Sequence, residues 1–279
     1  MSIKMRKIES EILSEVRSKQ SRGRTKLKIG IGITVIAFII VFILYEKFFV
    51  YTENIKKVIE EQLGEPIQVI QIKKGDTTVI FALEDSCEKI LNGFSKWKGR
   101  EKIINYSGTA FSSNTAYYEK EHFWISFAGK DKECNFSEAY EIKSDKSMRM
   151  ACGDNYKNYL LNQNVNKEIQ KIIEEKQSAH GITKNELLQL FDEEAGQIKE
   201  NVTLADFDKY GQINVENNGE ETCVKICMED SCRLHVIFKS AALSGNSKPE
   251  KFIVFWSNSE YKSSDQADFI ESIKEKLQS

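Results

Sequence analysis

Hydrophobic residues are most concentrated near the start of the chain, where residues 29–45 read IGIGITVIAFIIVFILY and carry no charge. Apolar residues continue to residue 50, and Lys28 and Lys47 flank the run. At about 1.5 Å per residue, such a helix approaches the roughly 30 Å of a bilayer core. The pattern predicts a transmembrane helix over residues 28–50. A cleaved signal peptide is the alternative, but no small-x-small cleavage site follows the run.

A basic tail precedes the apolar run. Residues 1–28 hold nine Lys or Arg against three Glu, whereas residues 46–65 hold three Lys against five Glu. Because basic flanks stay inside, we expect a cytoplasmic N-terminus and an extracytoplasmic bulk at the cell membrane. In residues 1–27, helical spacing relates the apolar residues Met5, Ile8, Ile12 and Val16. This amphipathic segment is expected to lie on anionic lipid, with a cytoplasmic partner as the alternative.

The period of the apolar positions changes beyond the predicted span. Thr52 is expected to cap a helix that ends at Gly64 and contains Ile55, Val58, Ile59 and Leu63. Residues 67–72 and 77–83 are rich in β-branched residues and predict a hairpin. Further strand-like runs cover residues 101–106, 115–128 and 138–143.

Helical periodicity returns between about residues 160 and 200. One apolar face comprises Val165, Ile169, Ile172 and Ile173, and another comprises Leu187, Leu188, Phe191, Ala195 and Ile198. Thr183 and Glu186 predict a capping box at the start of the second helix. Strands are predicted at residues 210–216, 222–228, 232–240 and 251–257, and a final helix at residues 264–277.

This order of elements predicts an α+β fold, in which an N-terminal single transmembrane helix precedes two small domains of antiparallel strands flanked by helices. The predicted limits are 1–27 for the tail, 28–50 for the span, 52–179 for the first domain and 183–279 for the second. The two halves contain similar sequences, TTVIFALEDSC at 77–87 and TCVKICMEDSC at 222–232. We therefore hypothesise a tandem duplication, which different strand orders in the two halves would exclude.

Charge is distributed unevenly along the chain. Of 40 Lys or Arg and 42 Asp or Glu, 31 and 39 remain after the tail, a net charge near −8. An acidic extracytoplasmic surface argues against nucleic-acid binding. The expected partners are the lipid bilayer and other envelope proteins, and the sequence leaves the oligomeric state open. The abundance of Lys, Ile, Glu and Asn indicates a bacterial protein.

The cysteines predict disulfides. If residues 222–240 form a hairpin that turns at residues 229–230, Cys227 lies opposite Cys232, within disulfide reach. Cys134 and Cys152 bracket a polar segment and are the second candidate pair, with a loop worth about 3 kcal/mol. The alternatives are reduced, buried cysteines, or a metal or redox role.

Metal and thiol chemistry have weak support in the sequence. The assumed hairpin register separates Cys223 from Cys227 by about 13 Å along the strand. It also turns His235 to the other face, so no zinc site is expected. Cys87 and Cys223 have no obvious partner. A redox Cys-x-x-Cys pair at a helix start does not occur in the sequence.

Catalytic and cofactor-binding residues are not predicted, because nucleophile-elbow, metalloprotease, phosphate-loop and dinucleotide motifs do not occur. The three histidines are His122, His180 and His235. The acidic group Asp192-Glu193-Glu194 is expected on the solvated side of a helix. An aromatic cluster comprises Tyr117, Tyr118, Phe123, Trp124 and Phe127. Core packing is expected for the cluster, with an outward ligand-stacking surface as the alternative.

Together these patterns predict a membrane-anchored extracytoplasmic protein that acts by binding or assembly and not as an enzyme. An envelope complex, such as a secretion, conjugation or cell-wall machine, is the first hypothesis. An extracytoplasmic ligand or stress sensor is the second, and it requires a membrane partner because the tail is too short for a signalling domain. An envelope hydrolase is the third and has the fewest supporting residues.

Overall fold

The computed structural model describes residues 14–15, 33–45, 52–102, 123–138, 146–153, 155–192, 197–229, 232–240, 242–256 and 259–262. The chain divides into two compact units, Met1–Thr52 and Glu53–Ser279. In the first unit, helix α1 covers residues 33–45. Within the part of the chain that the structure describes, no helix meets the length and hydropathy of a membrane span. The remainder of the predicted span, residues 28–32 and 46–50, lies outside the described residues, as does the tail apart from residues 14–15.

The second unit combines two antiparallel sheets with short helices, a mixed α+β architecture. Its helices are α2 (Ile55–Leu63), α3 (Glu84–Phe94), α4 (Val165–Gln177) and α5 (Lys184–Gln189), with a 3-10 helix at Leu204–Phe207. The predicted division at residues 179 and 183 falls between α4 and α5, inside this one compact unit. The predicted helix 264–277 lies outside the described residues.

The first sheet has eight strands in the order β1-β4-β8-β7-β6-β5-β2-β3. They are β1 (Glu53–Asn54), β2 (Val69–Lys74), β3 (Thr77–Phe81), β4 (Lys98–Glu101), β5 (Phe123–Ala128), β6 (Glu133–Ser137), β7 (Ser147–Cys152) and β8 (Asn155–Leu161). The predicted hairpin is present as β2–β3, and Gly75 turns it with a φ of 58°. Strand β3 is at one edge of this sheet.

The second sheet is a meander in which each strand pairs with the next along the chain. Its strands are β9 (Gln212–Asn217), β10 (Thr222–Cys227), β11 (Arg233–Phe238), β12 (Lys251–Trp256) and β13 (Ser259–Lys262). The first four coincide closely with the predicted runs. Alternating apolar residues on β10 and β11 place Val224, Ile226, Leu234 and Val236 on the inner, fully buried face.

Two helix ends differ from their predictions. Asn54, not Thr52, caps α2, because its Oδ1 accepts the Lys57 N–H at 3.4 Å. Gly64 ends α2 as predicted, with a φ of 69°. The helix predicted to extend to Ile198 is wrong, because α5 stops at Gln189 and Phe191 forms a β-bridge with Ile198.

The capping box at α5 is present. The Thr183 Oγ1 accepts the Glu186 N–H at 3.1 Å, and Glu186 Oε2 accepts the Thr183 N–H at 2.9 Å. The hydrogen bond from the Thr183 backbone is the main reason why the pKa of Glu186 falls to about 2. The start of α5 is therefore fixed by two residues that a local sequence pattern identifies.

The tandem-duplication hypothesis is wrong. Strand β3 is an edge strand of the first sheet, whereas its proposed counterpart β10 lies between β9 and β11. The shared Glu-Asp-Ser-Cys sequence begins α3 in the first half, where Glu84 and Asp85 occupy the first turn of the helix. In the second half it follows β10 and leads into β11. The strand orders of the two sheets differ, so the similar sequences at 77–87 and 222–232 do not reflect a shared topology.

Two hydrophobic clusters stabilise the second unit. The first lies between one face of the first sheet and helices α2, α3 and α4. The second lies under the inner face of the second sheet, but it also includes Val69, Ile80 and Ala82 from the first sheet. Strands β2 and β3 therefore lie between the two clusters, because Val69 and Ile80 face the second cluster whereas Ile70 and Val79 face the first.

A ladder of side chains joins the edge strand β3 to the second sheet, and we call it the strand junction. The Thr78 N–H donates to Asn214 Oδ1 at 2.8 Å, and the Ile80 N–H donates to Gln212 Oε1 at 2.8 Å. The Ala82 N–H donates to Asp208 Oδ1 at 3.0 Å. Gln212 also donates its Nε2 to the Ile80 carbonyl at 2.8 Å. Alternate outward amides of β3 are therefore bound by side chains.

A buried ion pair completes the strand junction. Lys176 on α4 and Asp208 have side chains that are 5% and 1% exposed, with Nζ and Oδ1 3.2 Å apart. The Lys176 ammonium also donates to the Asp208 backbone carbonyl and lies 5.0 Å from the Phe81 ring centroid. Burial lowers the pKa of Lys176 from its ordinary value.

We predict that Lys176→Met destabilises the protein by about 3–5 kcal/mol, because it leaves the Asp208 carboxylate buried without a compensating charge. Urea unfolding of the full chain in mild detergent, followed by circular dichroism, measures the change. Lys171→Met is the matched control, since the Lys171 side chain on the same helix is 69% exposed. It should cost less than about 0.5 kcal/mol. Equal costs for the two variants would contradict a stabilising role for the pair.

Candidate functional site

One predicted disulfide is present, between Cys134 and Cys152. These residues are directly opposed on β6 and β7, with Cα atoms 4.5 Å apart. Cys134 is buried on the core face of the first sheet, and Cys152 packs against the same cluster. The bond therefore links two adjacent strands through the interior. Disulfides form and persist mainly in oxidising compartments.

The predicted pairing of Cys227 with Cys232 is wrong. Cys227 lies opposite Arg233, and Met228 donates its N–H to the Cys232 carbonyl at 3.1 Å. The hairpin register is thus one residue away from the assumed one. Because side chains alternate between faces, a shift of one residue separates the two sulfurs. Cys232 points into the second cluster, whereas Cys227 lies on the outer face.

The remaining cysteines carry thiols in protected positions. Cys87 is 3% exposed, its Sγ lies 3.4 Å from the Phe81 carbonyl oxygen, and burial raises its pKa to about 12. Burial also raises the pKa of Cys223 to about 11 and that of Cys227 above its ordinary value. A raised pKa keeps the thiol protonated and weakly nucleophilic. Cys87, Cys223 and Cys227 are not disulfide-bonded in the structure.

The other singled-out residues are dispersed. His180 is exposed, with its ring 5.4 Å from that of Tyr210, and His235 lies opposite Lys225 on the same outer face as Cys227. His122 lies outside the described residues. Asp192 is not on a helix, and Glu193 and Glu194 lie outside the described residues. Among the residues that the structure describes, no group of His, Cys, Asp and Glu is arranged to hold a metal ion.

The aromatic cluster is divided between the two faces of β5. Phe123 and Phe127 are buried in the first cluster, at 2% and 0% exposure. Trp124 lies on the opposite face and is half-buried. Tyr117 and Tyr118 lie outside the described residues. Core packing is therefore confirmed for the two phenylalanines, whereas Trp124 points to the opposite face of the sheet.

The outward side of β5, β6, β7 and β8 forms what we call the polar face. Two rows of residues cross these strands side by side. They are Trp124, Ser137, Arg149 and Asn158 in one row and Ser126, Asn135, Ala151 and Tyr156 in the other. Ser126 and Asn158 are nearly buried, at 5% and 4%, whereas Tyr156 is 53% exposed. The two buried side chains lie on the outer strands of the four, Ser126 on β5 beside Trp124 and Asn158 on β8 beside Tyr156.

Hydrogen bonds and ring contacts order the polar face. The Arg149 Nε donates to Asn158 Oδ1 at 3.2 Å, and its guanidinium lies 5.2 Å from the Tyr156 ring centroid. Ser126 donates its hydroxyl to Glu133 Oε1 at 2.5 Å. Asn135 Oδ1 is buried, and none of the described residues donates a hydrogen bond to it. The face thus combines aromatic rings with amide and hydroxyl groups.

The sequence alone gave little indication of the polar face. Its residues come from four strands, three of which, β6, β7 and β8, the sequence analysis did not predict. Only the strand alternation around Trp124 indicated a side chain that points outward.

No family model matches the chain, and comparison with curated proteins and with solved structures found no match.

We predict that replacing both Cys134 and Cys152 by Ala costs about 3 kcal/mol of unfolding free energy, because the chain loses a closed loop in its unfolded state. Thermal or urea unfolding under non-reducing conditions measures the cost. The control is Cys223→Ala combined with Cys227→Ala, since both residues are half-buried on the outer face. It should cost less than about 1 kcal/mol. Similar costs for the two double variants would show that the disulfide is not the stabilising bond.

Proposed function

We propose that the protein is a single-pass, membrane-anchored protein of the bacterial envelope, whose extracytoplasmic unit acts by binding and assembly. The apolar surface of α1 carries this proposal. All its large hydrophobic side chains are exposed, from 46% at Leu44 to 72% at Phe38. A helix that is apolar on every side requires lipid or protein around it. The uncharged run of residues 29–45 and the basic residues before it favour lipid.

Two further features support an extracytoplasmic position for the second unit. The Cys134–Cys152 disulfide suits an oxidising compartment. The sequence of the second unit is acidic, whereas the first 28 residues of the chain are strongly basic. Such an asymmetry orients a single span with its basic end inside.

The position of the second unit is tested by labelling intact bacterial cells with a membrane-impermeant maleimide. Glu220→Cys places a thiol on the exposed turn between β9 and β10, and Ser18→Cys places one in the basic tail. The Cys223→Ala and Cys227→Ala background removes the half-buried thiols on the outer face. We expect Glu220→Cys to react in intact cells and Ser18→Cys to react only after permeabilisation. The reverse pattern, or equal labelling of both, would contradict the proposed orientation.

Assembly is tested by crosslinking the full chain in intact cells. Recurrent capture of the same envelope proteins, absent from a strain without the chain, is the expected result. Capture of no partner at several crosslinking positions would contradict the assembly part of the proposal, and leave the membrane orientation to be decided by the labelling assay.

A further inference from the structure

The outer face of the second sheet lies outside both hydrophobic clusters. The inner face packs into the second cluster, for example through Val224, Val236 and Val254. Because side chains alternate along a strand, the intervening residues point to the other side. On the three central strands these are Cys223, Lys225 and Cys227, then Arg233, His235 and Ile237, then Lys251, Ile253 and Phe255. None of them belongs to either cluster of the described residues.

An apolar stripe crosses this outer face, and we call it the outer stripe. Cys223 lies opposite Ile237, and Ile253 and Phe255 occupy alternate positions on the adjacent strand β12. The centroids of the His235 and Phe255 rings are 4.3 Å apart. A solvated face of an antiparallel sheet usually carries polar side chains. Ile237, however, is only 6% exposed although it points away from the second cluster. Atoms outside that cluster therefore cover this side of β11.

The chain beyond β13 has a sequence that fits this stripe. The described residues end at Lys262 in β13, the edge strand beside β12. Residues 263–279 follow, and their periodicity predicts a helix at 264–277 with Phe269, Ile270 and Ile273 on one face. At about 1.5 Å per residue, that helix would be about 21 Å long. Strand β10 lies three strand spacings from β13, or about 14 Å. The segment is therefore long enough to reach across the outer stripe.

Charge and the packing of the inner face favour the same arrangement. Residues 263–279 contain four Asp or Glu and two Lys. The outer face carries Lys225, Arg233 and Lys251 and no acidic residue on the three central strands, although Glu216 and Glu221 beside it pair with the two lysines. The inner face is already covered by α5 and the 3-10 helix. An acidic amphipathic helix therefore finds its complementary surface on the outer side.

We propose that the C-terminal segment, residues 263–279, docks on the outer face of the second sheet as an amphipathic helix whose apolar side covers the outer stripe. The segment is joined directly to the edge strand, so its effective concentration at this face is on the order of millimolar, which a separate partner rarely reaches. Parts of the same chain then cover both faces of the sheet. The outer face is consequently closed to other proteins, and Cys223 and Cys227 lie beneath the segment. This docking does not depend on the proposed membrane position.

Alkylation of the full chain with N-ethylmaleimide in mild detergent, followed by mass spectrometry at each cysteine, tests this inference. Phe269→Ser combined with Ile273→Ser removes two apolar side chains from the docking side of the predicted helix. We expect Cys223 and Cys227 to react at least tenfold faster in this variant, because they lose their cover.

The matched control is Glu271→Ser combined with Glu275→Ser, which has the same spacing on the opposite side of the predicted helix. It should change the two alkylation rates less than twofold. Cys87 and Cys232 are buried in the interior and should react slowly in every chain, which checks that the unit remains folded.

Amide hydrogen exchange of the unchanged chain is the second measurement and needs no variant. An isolated helix of this length is marginal in water, so slow exchange at residues 264–277 requires docking. Exchange there as fast as in an unfolded peptide would overturn the inference, as would equal alkylation rates in all three chains. Protection of Cys223 and Cys227 that disappears on hundredfold dilution would also overturn it, since a second copy of the chain would then be the cover.

Discussion

The open edge of the first sheet is the constraint on which the second unit depends. An edge strand presents unpaired backbone groups, and β3 is unusually apolar for one, with Val79, Ile80 and Phe81 buried. Asn214, Gln212 and Asp208 bind its outward amides, and the Lys176 ammonium neutralises the carboxylate among them. The edge is therefore closed by side chains and not by another strand. This arrangement lets two sheets of different strand order join without forming a continuous sheet.

Several backbone positions are determined by this closure. A Cβ at Gly245 would lie 2.7 Å from the Ala82 carbonyl oxygen, so the connection between β11 and β12 approaches β3 closely because it carries a glycine there. Gly181 is similar, since a Cβ would lie 2.8 Å from the Met228 carbonyl carbon. Both glycines lie where the segments flanking the second sheet meet their neighbours. The second cluster reaches the first sheet only at its β2–β3 end, through Val69, Ile80 and Ala82, among the residues that the structure describes.

Local pattern predicted much of the fold, but not its connections. Strands β9 to β12 and helix α4 follow strict periods of two and of about four, so the sequence identifies them. Strands β7 and β8 have weaker alternation of apolar and polar residues, for example at Asn155 to Asn158, and were missed. The helical spacing of apolar residues continues through Phe191 and Ile198, yet these two residues form a β-bridge and not one face of a helix. The packing of the second hydrophobic cluster therefore determines the conformation of this segment, and local helix propensity does not.

The cysteines and the polar face show the same limit. Spacing alone predicted the Cys134–Cys152 bond, whereas the Cys227–Cys232 pairing depended on the length of one turn and failed by one residue. The polar face needs four strands in register, so no linear motif identifies it. Amide hydrogen exchange, resolved to single residues by NMR or by mass spectrometric fragmentation, tests the central claim of a closed edge most directly. The account predicts that the amides of Thr78, Ile80 and Ala82 exchange as slowly as those of the interior strand β10. Exchange as fast as that of an exposed turn would contradict it.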